Sequence, residues 1–220
     1  MTLFFTSTVF GGGVVGSGTP GSCTEAALEA ALAGGGSVTF NCGGSHTITL
    51  TNQKTISADT VIDGGGVTTL DGGSSTCLFS VENGATLTLQ NVVVQNGRST
   101  QNGGAVYVER LSTLNVSSST FSGNQAANGG AIALNGWGAN DAGAALSITN
   151  STFNNNVATA AGLVGGGNGG GAIYVSGGST ATVVGSTFTA NRAVNGGGIH
   201  VLLANLTVTG STFNGNIANG

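Results

Sequence analysis

The clearest pattern in the sequence is a block of short alternating apolar runs that returns several times after residue 113. Each copy contains an apolar strand, then Ser-Thr-Phe-x-x-Asn, and the complete copies go on to Asn-Gly-Gly and a second apolar strand, as in residues 114–134 and 146–175. Alternation of β-branched and polar residues between Gly and Asn turns is typical of strands. A copy of roughly 25 residues cannot bury its apolar face alone, so successive copies are expected to stack at about 4.8 Å. The sequence therefore predicts an all-β parallel β-helix, a solenoid.

Such stacking predicts two internal rows of identical residues. They are Phe121, Phe153, Phe188 and Phe213, and Asn124, Asn156, Asn191 and Asn216, each Asn three residues after its Phe. An interior Asn is tolerable because its amide can donate to the Asn of the next coil. The Gly-Gly pairs are expected at sharp corners that need positive φ and have no room for a Cβ atom.

A single helix is predicted ahead of the repeats, at residues 22–33. Its run of Ala and Leu favours a helix, Ser22 and Glu25 match a capping box, and a glycine follows its end. We expect Leu28 and Leu32 to cover the first coil, so that the helix caps the solenoid.

The chain is expected to be one domain, because no linker interrupts residues 1–220. An N-terminal strand at 1–10 and the capping helix at 22–33 precede coils over 37–220. The apolar residues of the first segment are Leu3, Phe4, Phe5, Val9 and Phe10. The segment lacks the basic start of a signal peptide. Either a signal has been removed or the chain is an internal fragment.

Composition argues against nucleic-acid binding and against a membrane-spanning helix. Charged residues are only 5% of the chain and only four are basic, so a nucleic-acid-binding patch is not expected. No run approaches the roughly 18 apolar residues of a membrane-spanning helix. A surface of Ser, Thr, Asn and Gly suits a secreted, extracellular protein, and the small number of charges favours self-association.

Two of the three cysteines are expected to form a disulfide. Cys23 and Cys42 flank the helix and first strand, and an extracellular location would favour their oxidation. Cys77 is expected to be a small buried apolar residue, with an intermolecular bridge as the alternative.

The order of the motifs resembles bacterial surface proteins of the polymorphic outer-membrane-protein type. The residues that carry this resemblance are Cys23-Thr-Glu-Ala-Ala-Leu28, Val38-Thr-Phe-Asn-Cys42, Ile62-Asp-Gly-Gly-Gly66 and the repeated Gly-Gly-Ala-Ile-Tyr-Val. The resemblance implies a pectin-lyase-like right-handed parallel β-helix at the cell surface. It does not imply one activity, since this architecture serves adhesins, filaments and enzymes that cleave sugars.

No catalytic residue, cofactor site or metal site is predicted, so we expect a protein that is not an enzyme. Asp63 and Asp71 are the only acids close enough to suggest a pair, and each precedes Gly-Gly, where Asp is an ordinary turn residue. His46 and His200 are interpreted as having no Cys or His neighbour at metal-ligand spacing.

Several residues are candidates for binding. Tyr107, Ala133, Tyr174 and His200 would form one exposed column on successive coils, with ordinary packing between coils as the alternative. Trp137 lies in an insertion at 135–145, and a second insertion at 157–167 is apolar enough for a lateral contact. The row Thr120, Thr152, Thr187 and Thr212 also admits an ice-binding interpretation.

The favoured hypothesis is a non-catalytic extracellular protein that forms a filament or acts as an adhesin, possible ligands being surface glycans. The last copy stops after Phe213 and Ile217, before its second strand. Residues 1–10 of another molecule could complete that coil head to tail, unless the missing coils follow in a longer chain. The alternative hypothesis is a β-helix that binds or processes carbohydrate.

Overall fold

The computed structural model describes residues 11–136, 138–160 and 168–220. These residues form one α-helix, α1 (Glu25–Leu32), after a short 3₁₀ turn at Pro20–Ser22, and 23 strands numbered in chain order. The largest sheet contains β1 (Gly12–Val15), β2 (Gly36–Phe40), β3 (His46–Thr49), β5 (Thr60–Asp71), β7 (Thr86–Gln95), β9 (Thr113–Ser117), β10 (Thr120–Ser122), β13 (Ala145–Thr149), β14 (Thr152–Asn154), β17 (Thr180–Val184), β18 (Thr187–Thr189), β21 (Asn205–Thr209) and β22 (Thr212–Asn214).

Two smaller sheets complete the coils. The six-stranded sheet contains β4 (Lys54–Ile56), β6 (Phe79–Val81), β8 (Val106–Val108), β12 (Ile132–Leu134), β16 (Ile173–Ser176) and β20 (Ile199–Leu202). The four-stranded sheet contains β11 (Gln125–Ala126), β15 (Val157–Ala158), β19 (Arg192–Ala193) and β23 (Ile217–Ala218).

Each strand pairs in parallel with the equivalent strand of the next coil, as when β9 pairs with β13 and β13 with β17. The alternate residues of each strand point into the coil, so Leu114 and Val116 of β9 are buried while Asn115 between them is not. The predicted parallel β-helix with an N-terminal helix is therefore confirmed. The pairing does not fix the direction of winding, so the right-handed coil stays a prediction.

The Phe row forms the predicted aromatic stack inside the coils. Phe121, Phe153 and Phe188 are fully buried, and their ring centroids are 4.9 Å apart with interplanar angles of 9° and 6°. Phe213 continues the stack at 4.7 Å but is 47% exposed, because it lies on the last described coil.

The Asn row is a continuous hydrogen-bonded ladder. Asn124 Nδ2 donates to Asn156 Oδ1 at 2.9 Å, and the backbone N–H of Asn124 donates to the same oxygen at 3.1 Å. The same two contacts join Asn156 to Asn191 and Asn191 to Asn216. Each Nδ2 also donates to a backbone carbonyl of the preceding coil, such as Phe121 O for Asn156. The fully buried amides are therefore satisfied, as burial of polar groups requires.

A second polar ladder was not predicted. The Oγ of the Ser in each Ser-Thr-Phe motif accepts a hydrogen bond from the backbone N–H of the equivalent residue one coil earlier. The donor is another Ser for Ser151, Ser186 and Ser211, and it is Val92 for Ser119. The members of the ladder are Ser119, Ser151, Ser186 and Ser211. The residue before each Ser has positive φ, from 48° at Ser118 to 59° at Gly210. This corner thus consists of a residue in the left-handed backbone conformation followed by a polar residue whose side chain points inward. The corner at each Asn of the ladder has the same arrangement.

Glycine forms the remaining corner, as predicted. Gly129 has φ of 60°, and a Cβ atom on Gly130 would lie 2.2 Å from the carbonyl oxygen of Gly171 on the next coil. Neither position tolerates a larger residue without strain.

The capping helix differs from its prediction at the N-terminus. It begins at Glu25, and its N-cap is Thr24, whose Oγ1 accepts from the N–H of Ala27 at 3.2 Å. The predicted capping box of Ser22 and Glu25 is therefore wrong. Leu28 is fully buried, and Leu32 is partly buried against the same core.

Glu25 instead joins the helix to the first coil. Its carboxylate contacts Lys54 Nζ at 2.6 Å and accepts from the backbone N–H and the Oγ1 of Thr51, each at 2.8 Å. Burial alone would raise the pKa of Glu25, but these hydrogen bonds outweigh it and lower the pKa to about 2. Glu29 contacts Lys54 Nζ at 2.5 Å, so one lysine with 6% of its side chain exposed holds two turns of the helix.

The disulfide between Cys23 and Cys42 is present, with a Cα–Cα distance of 5.8 Å. It joins the start of the helix to the end of β2. Cys77 is a free thiol in the described structure. Its side chain is buried, as the sequence predicts, and burial raises the pKa of the thiol.

Some sequence-based predictions lie outside the described residues. They are the strand at 1–10 with Leu3, Phe4, Phe5, Val9 and Phe10, Trp137, and the part of the second insertion at 161–167. In the described part of the chain, no helix is long and apolar enough to cross a membrane.

Candidate binding cleft

A cleft of about 570 Å³ opens on the outer side of the six-stranded sheet, between β6 and β8 and the loops at 75–77 and 98–102. Its floor is formed by the outward residues of the two strands. Ser80 and Tyr107 are opposite one another in register, while their strand neighbours, such as Phe79 and Val106, point into the core. The parallel register thus places side chains from successive coils side by side in one cleft.

Two carboxylates line the cleft one coil apart. Glu82 follows Ser80 by two residues and Glu109 follows Tyr107 by two, so each continues the outward row. The backbone N–H of Glu109 donates to the Val81 carbonyl at 2.9 Å, which extends the strand pairing to this point. Ser80 Oγ donates to Glu82 Oε1 at 2.6 Å. Within the described chain neither carboxylate forms an ion pair, so both can accept hydrogen bonds from a ligand.

Tyr107 lies beside these carboxylates. Burial raises the pKa of Tyr107, and the negative charges of Glu109 and Glu82 raise it further. The phenol is therefore neutral and can donate a hydrogen bond, as well as presenting a partly exposed ring face.

The opposite wall supplies donors. Arg98 is exposed on the loop at 98–102, whose other residues are Ser99, Thr100, Gln101 and Asn102. A β-bridge from Arg98 to Gln125 and another from Asn102 to Asn128 fix both ends of this loop to the next coil. The cleft therefore combines acceptors, donors and one aromatic ring on a rigid backbone.

The predicted column of surface residues is in register but is only partly exposed. Tyr107 pairs with Ala133, Ala133 with Tyr174, and Tyr174 with His200. Ala133 is 1% exposed and Tyr174 is 8% exposed, so the prediction of an exposed column is wrong at these positions. Side chains stacked on adjacent strands cover one another; the Tyr174 and His200 rings stack with centroids 5.7 Å apart.

His200 carries a polar atom with no partner among the described residues. Its Nε2 is buried and makes no hydrogen bond, and burial lowers the pKa of the ring. A neutral histidine stacked on Tyr174 is packing between coils, so Tyr107 is the member of this column that lines the cleft.

Asp63 and Asp71 accept the local backbone hydrogen bonds that are typical of Asp in turns, although Asp63 lies at an irregularity within β5 and Asp71 at the end of that strand. Asp63 accepts from the N–H of Gly65 at 3.0 Å and from the side chains of Gln90 and Asn91 on the next coil. Hydrogen bonds from Asn91, Gly65 and Gln90 lower its pKa. Asp71 accepts equivalent bonds from Gly73, Gln95 and Asn96. Their oxygens are used within the fold, which leaves no free carboxylate pair at this place.

His46 corrects the expectation that neither histidine has a cysteine neighbour. Its Nε2 lies 3.1 Å from Cys42 Sγ, and the ligand atoms of Cys23, Cys42 and His46 all lie within 4.8 Å of one another. The spacing from Cys42 to His46 in the sequence was a signal that could have indicated this cluster.

The pair Glu82 and Glu109 was missed by sequence reasoning. Each follows an equivalent strand, Phe79-Ser-Val and Val106-Tyr-Val, so alignment of these two coils could have placed the carboxylates together. The search for acids close in sequence did not detect a pair that lies one whole coil apart.

Comparison with known proteins gives one match. Residues 118–135 and 150–176 match the family model described as the Chlamydia polymorphic membrane protein repeat. No curated protein and no solved structure matches the chain significantly. The matched segments contain the ladder residues Phe121, Asn124, Phe153 and Asn156, so the similarity concerns residues that hold the coils together. In these two coils the chain is similar to the repeats of chlamydial polymorphic membrane proteins.

Proposed function

We propose that this chain is a surface-displayed, non-catalytic β-helix that acts as an adhesin and binds a neutral glycan in the cleft around Tyr107. The observation that carries the proposal is the composition of that cleft: Glu82 and Glu109 as acceptors, Arg98 as a donor, and a half-buried phenol between them.

Surface display is supported by three features. The matching repeat belongs to a family described as membrane proteins. The disulfide between Cys23 and Cys42 suits an oxidising environment. The few charged residues suit a hydrogen-bonded surface outside the cell.

A glycan fits the chemistry of the cleft. Carboxylates only accept hydrogen bonds and guanidinium only donates them, whereas sugar hydroxyls do both. The C–H face of a sugar can rest against the ring of Tyr107. A volume of about 570 Å³ lies within the range of small-ligand sites. Two carboxylates disfavour an acidic sugar, so the proposed ligand is neutral.

A glycan array probed with the purified chain tests this proposal. We expect neutral glycans to bind, and Glu109→Gln to weaken the best of them at least about tenfold through loss of a charged acceptor. The matched control is Glu29→Gln on the capping helix, which removes one charge away from the cleft and should bind like wild type. No binding by the wild type, or equal binding by Glu109→Gln, would contradict the proposal.

The same pair of carboxylates also defines a test for catalysis. Glycosidases use two carboxyl groups about 5–10 Å apart. Incubation of the chain with the bound glycan should release no reducing ends. If the wild type releases reducing ends and Glu82→Gln does not, the alternative is established, a β-helix that processes carbohydrate.

Self-assembly is the second candidate function. On the last described coil, Val208 is 41% and Phe213 is 47% exposed, and Ile217 is partly exposed. The proposed occupant is residues 1–10 of a second copy, which would add a strand head to tail. Electron microscopy should show filaments of the full chain and none after deletion of residues 1–10. Dispersed wild-type particles, or filaments that survive the deletion, would contradict this assignment.

A further inference from the structure

We propose that Cys23, Cys42 and His46 form a site for Zn²⁺ when the disulfide is reduced. The start of the capping helix would then be attached to the first coil by the disulfide in the oxidised chain and by the ion in the reduced chain. This inference is independent of the glycan cleft, which lies on a different part of the chain. It rests on the position, the hydrogen bonding and the accessibility of His46.

The three ligand atoms already lie close enough for one ion. Cys42 Sγ and His46 Nε2 are 3.1 Å apart, and all three atoms lie within 4.8 Å of one another. A tetrahedral zinc site with Zn–S of about 2.3 Å and Zn–N of about 2.0–2.1 Å requires separations of about 3.5–3.8 Å between donors. The two sulfur atoms are bonded to each other in the disulfide, so after reduction each has to move by about one ångström to reach this separation. Cys42 Sγ and His46 Nε2 have to move apart by only about half an ångström.

The second ring nitrogen of His46 is held as in zinc proteins. His46 Nδ1 lies 3.0 Å from the carbonyl oxygen of Gly44, which can only accept, so Nδ1 carries the proton. Nε2 then presents its lone pair toward the sulfur atoms. A metal-ligating histidine commonly donates its other N–H to a carbonyl in this way, which fixes the tautomer and the ring orientation.

The ion has a path to the site. Both cysteines are buried, at 6% and 3% exposure, but His46 lines a surface pocket of about 270 Å³ with Gly66 and Val67. The two thiolates and one imidazole match zinc, and water from the pocket would provide the fourth ligand.

The chemistry balances with a dithiol as the reductant. The dithiol supplies two electrons and two protons, the Cys23–Cys42 bond breaks to two thiols, and the dithiol becomes a cyclic disulfide. Binding of Zn²⁺ then replaces the two thiol protons, which pass to solvent. The site is thus available only in the reduced chain.

Titration with Co²⁺, followed by displacement with Zn²⁺, tests the proposal. The full chain carrying Cys77→Ser, reduced with dithiothreitol and freed of it without air, should bind one Co²⁺ with thiolate-to-cobalt absorption. The oxidised chain should bind none. His46→Asn removes one of the three ligands and should weaken binding at least about tenfold, since loss of a residue that only supports a ligand already costs that much. The control His200→Asn should bind like the parent.

Thermal unfolding provides a second readout. Zn²⁺ should raise the melting temperature of the reduced parent and leave that of reduced His46→Asn unchanged. Oxidised His46→Asn should unfold cooperatively near the melting temperature of the oxidised parent, which would show that this variant folds. Absence of Co²⁺ binding by the reduced parent, or equal affinity of His46→Asn and the parent, would overturn the proposal.

Discussion

The coils after residue 113 and the coils before it are stabilised in different ways. The later coils repeat one set of contacts: the Phe stack, the Asn ladder and the Ser ladder. The earlier coils use individual contacts, among them the disulfide, the buried Lys54 and the hydrogen-bonded Asp63 and Asp71. Of the charged residues only Asp141 and Arg192 lie beyond Arg110. Repetition makes charged anchors unnecessary, because each coil is a template for the next.

The cleft lies in the earlier coils for the same reason. A repeated residue forms a row of identical side chains, which satisfies structural requirements but offers no distinct site. Ser80 and Tyr107 occupy equivalent positions but differ, and the carboxylate recurs on two coils only, at Glu82 and Glu109. Together with Arg98 they form a mixed site. The family match falls on the later coils, and the residues that it covers include the buried ladders. The matched repeats and the proposed binding cleft therefore lie in different regions of the chain.

The largest expected effect comes from breaking the aromatic stack. Phe153→Ala should lower the free energy of unfolding by about 3–5 kcal/mol, because it leaves a cavity between two stacked rings. Urea unfolding measures the change. Thr152→Ala, at the neighbouring outward position, should cost less than about 1 kcal/mol. Similar losses for the two variants would show that Phe153 is not buried as described.

The next effect concerns the Asn ladder. Asn156→Ala removes the oxygen that accepts from both the backbone N–H and the Nδ2 of Asn124. The buried backbone N–H is left without a partner and Nδ2 keeps only its bond to the Val94 carbonyl, which should cost about 1–3 kcal/mol. The control is Asn154→Ala on the same coil, whose side chain points outward and should contribute little. A melting temperature unchanged by Asn156→Ala would contradict the ladder.

A smaller effect is expected at acid pH in the earlier coils. The pKa of Glu25 is lowered to about 2 from its ordinary 4.5, so its stabilisation is present above pH 4.5 and is lost as the pH falls toward 2. Glu25→Gln should therefore reduce the decline in stability over this range. Asp141→Asn, which changes an exposed carboxylate in a later coil, should leave the decline as in wild type. Melting temperatures measured across this pH range test the prediction. An equal decline for Glu25→Gln and Asp141→Asn would contradict it.

The parts of the fold that could be predicted from sequence were those whose residues recur at a fixed position of each copy. The Phe and Asn rows could be predicted because each recurs at one position of every later copy, and the parallel register follows from their stacking. The N-cap was misassigned because Ser22 and Thr24 are both good caps, and only the position of Lys54 shows that Glu25 is used elsewhere. The Ser ladder was overlooked because its residue precedes the more obvious Thr-Phe pair.

The residues of the proposed binding cleft were harder to predict because they do not recur in every copy. Tyr107 was included for its place in a column, but Glu82 and Glu109 were not, since a sequence separation of one coil gives no local signal. The exposure of Tyr174 depends on which side chains stack beside it, and an alternation pattern does not contain that information.

The central claim is that the repeats hold the coils together while the non-repeating cleft binds. The dissociation constant of the best neutral glycan for Asn156→Ala and Tyr107→Ala, measured at a temperature where both variants are folded, tests it most directly. We predict that Asn156→Ala, although it melts at a lower temperature, keeps the wild-type constant. Tyr107→Ala should melt like wild type and bind at least about tenfold more weakly, a loss of about 1.4 kcal/mol. Loss of binding in Asn156→Ala together with wild-type binding in Tyr107→Ala would contradict the account.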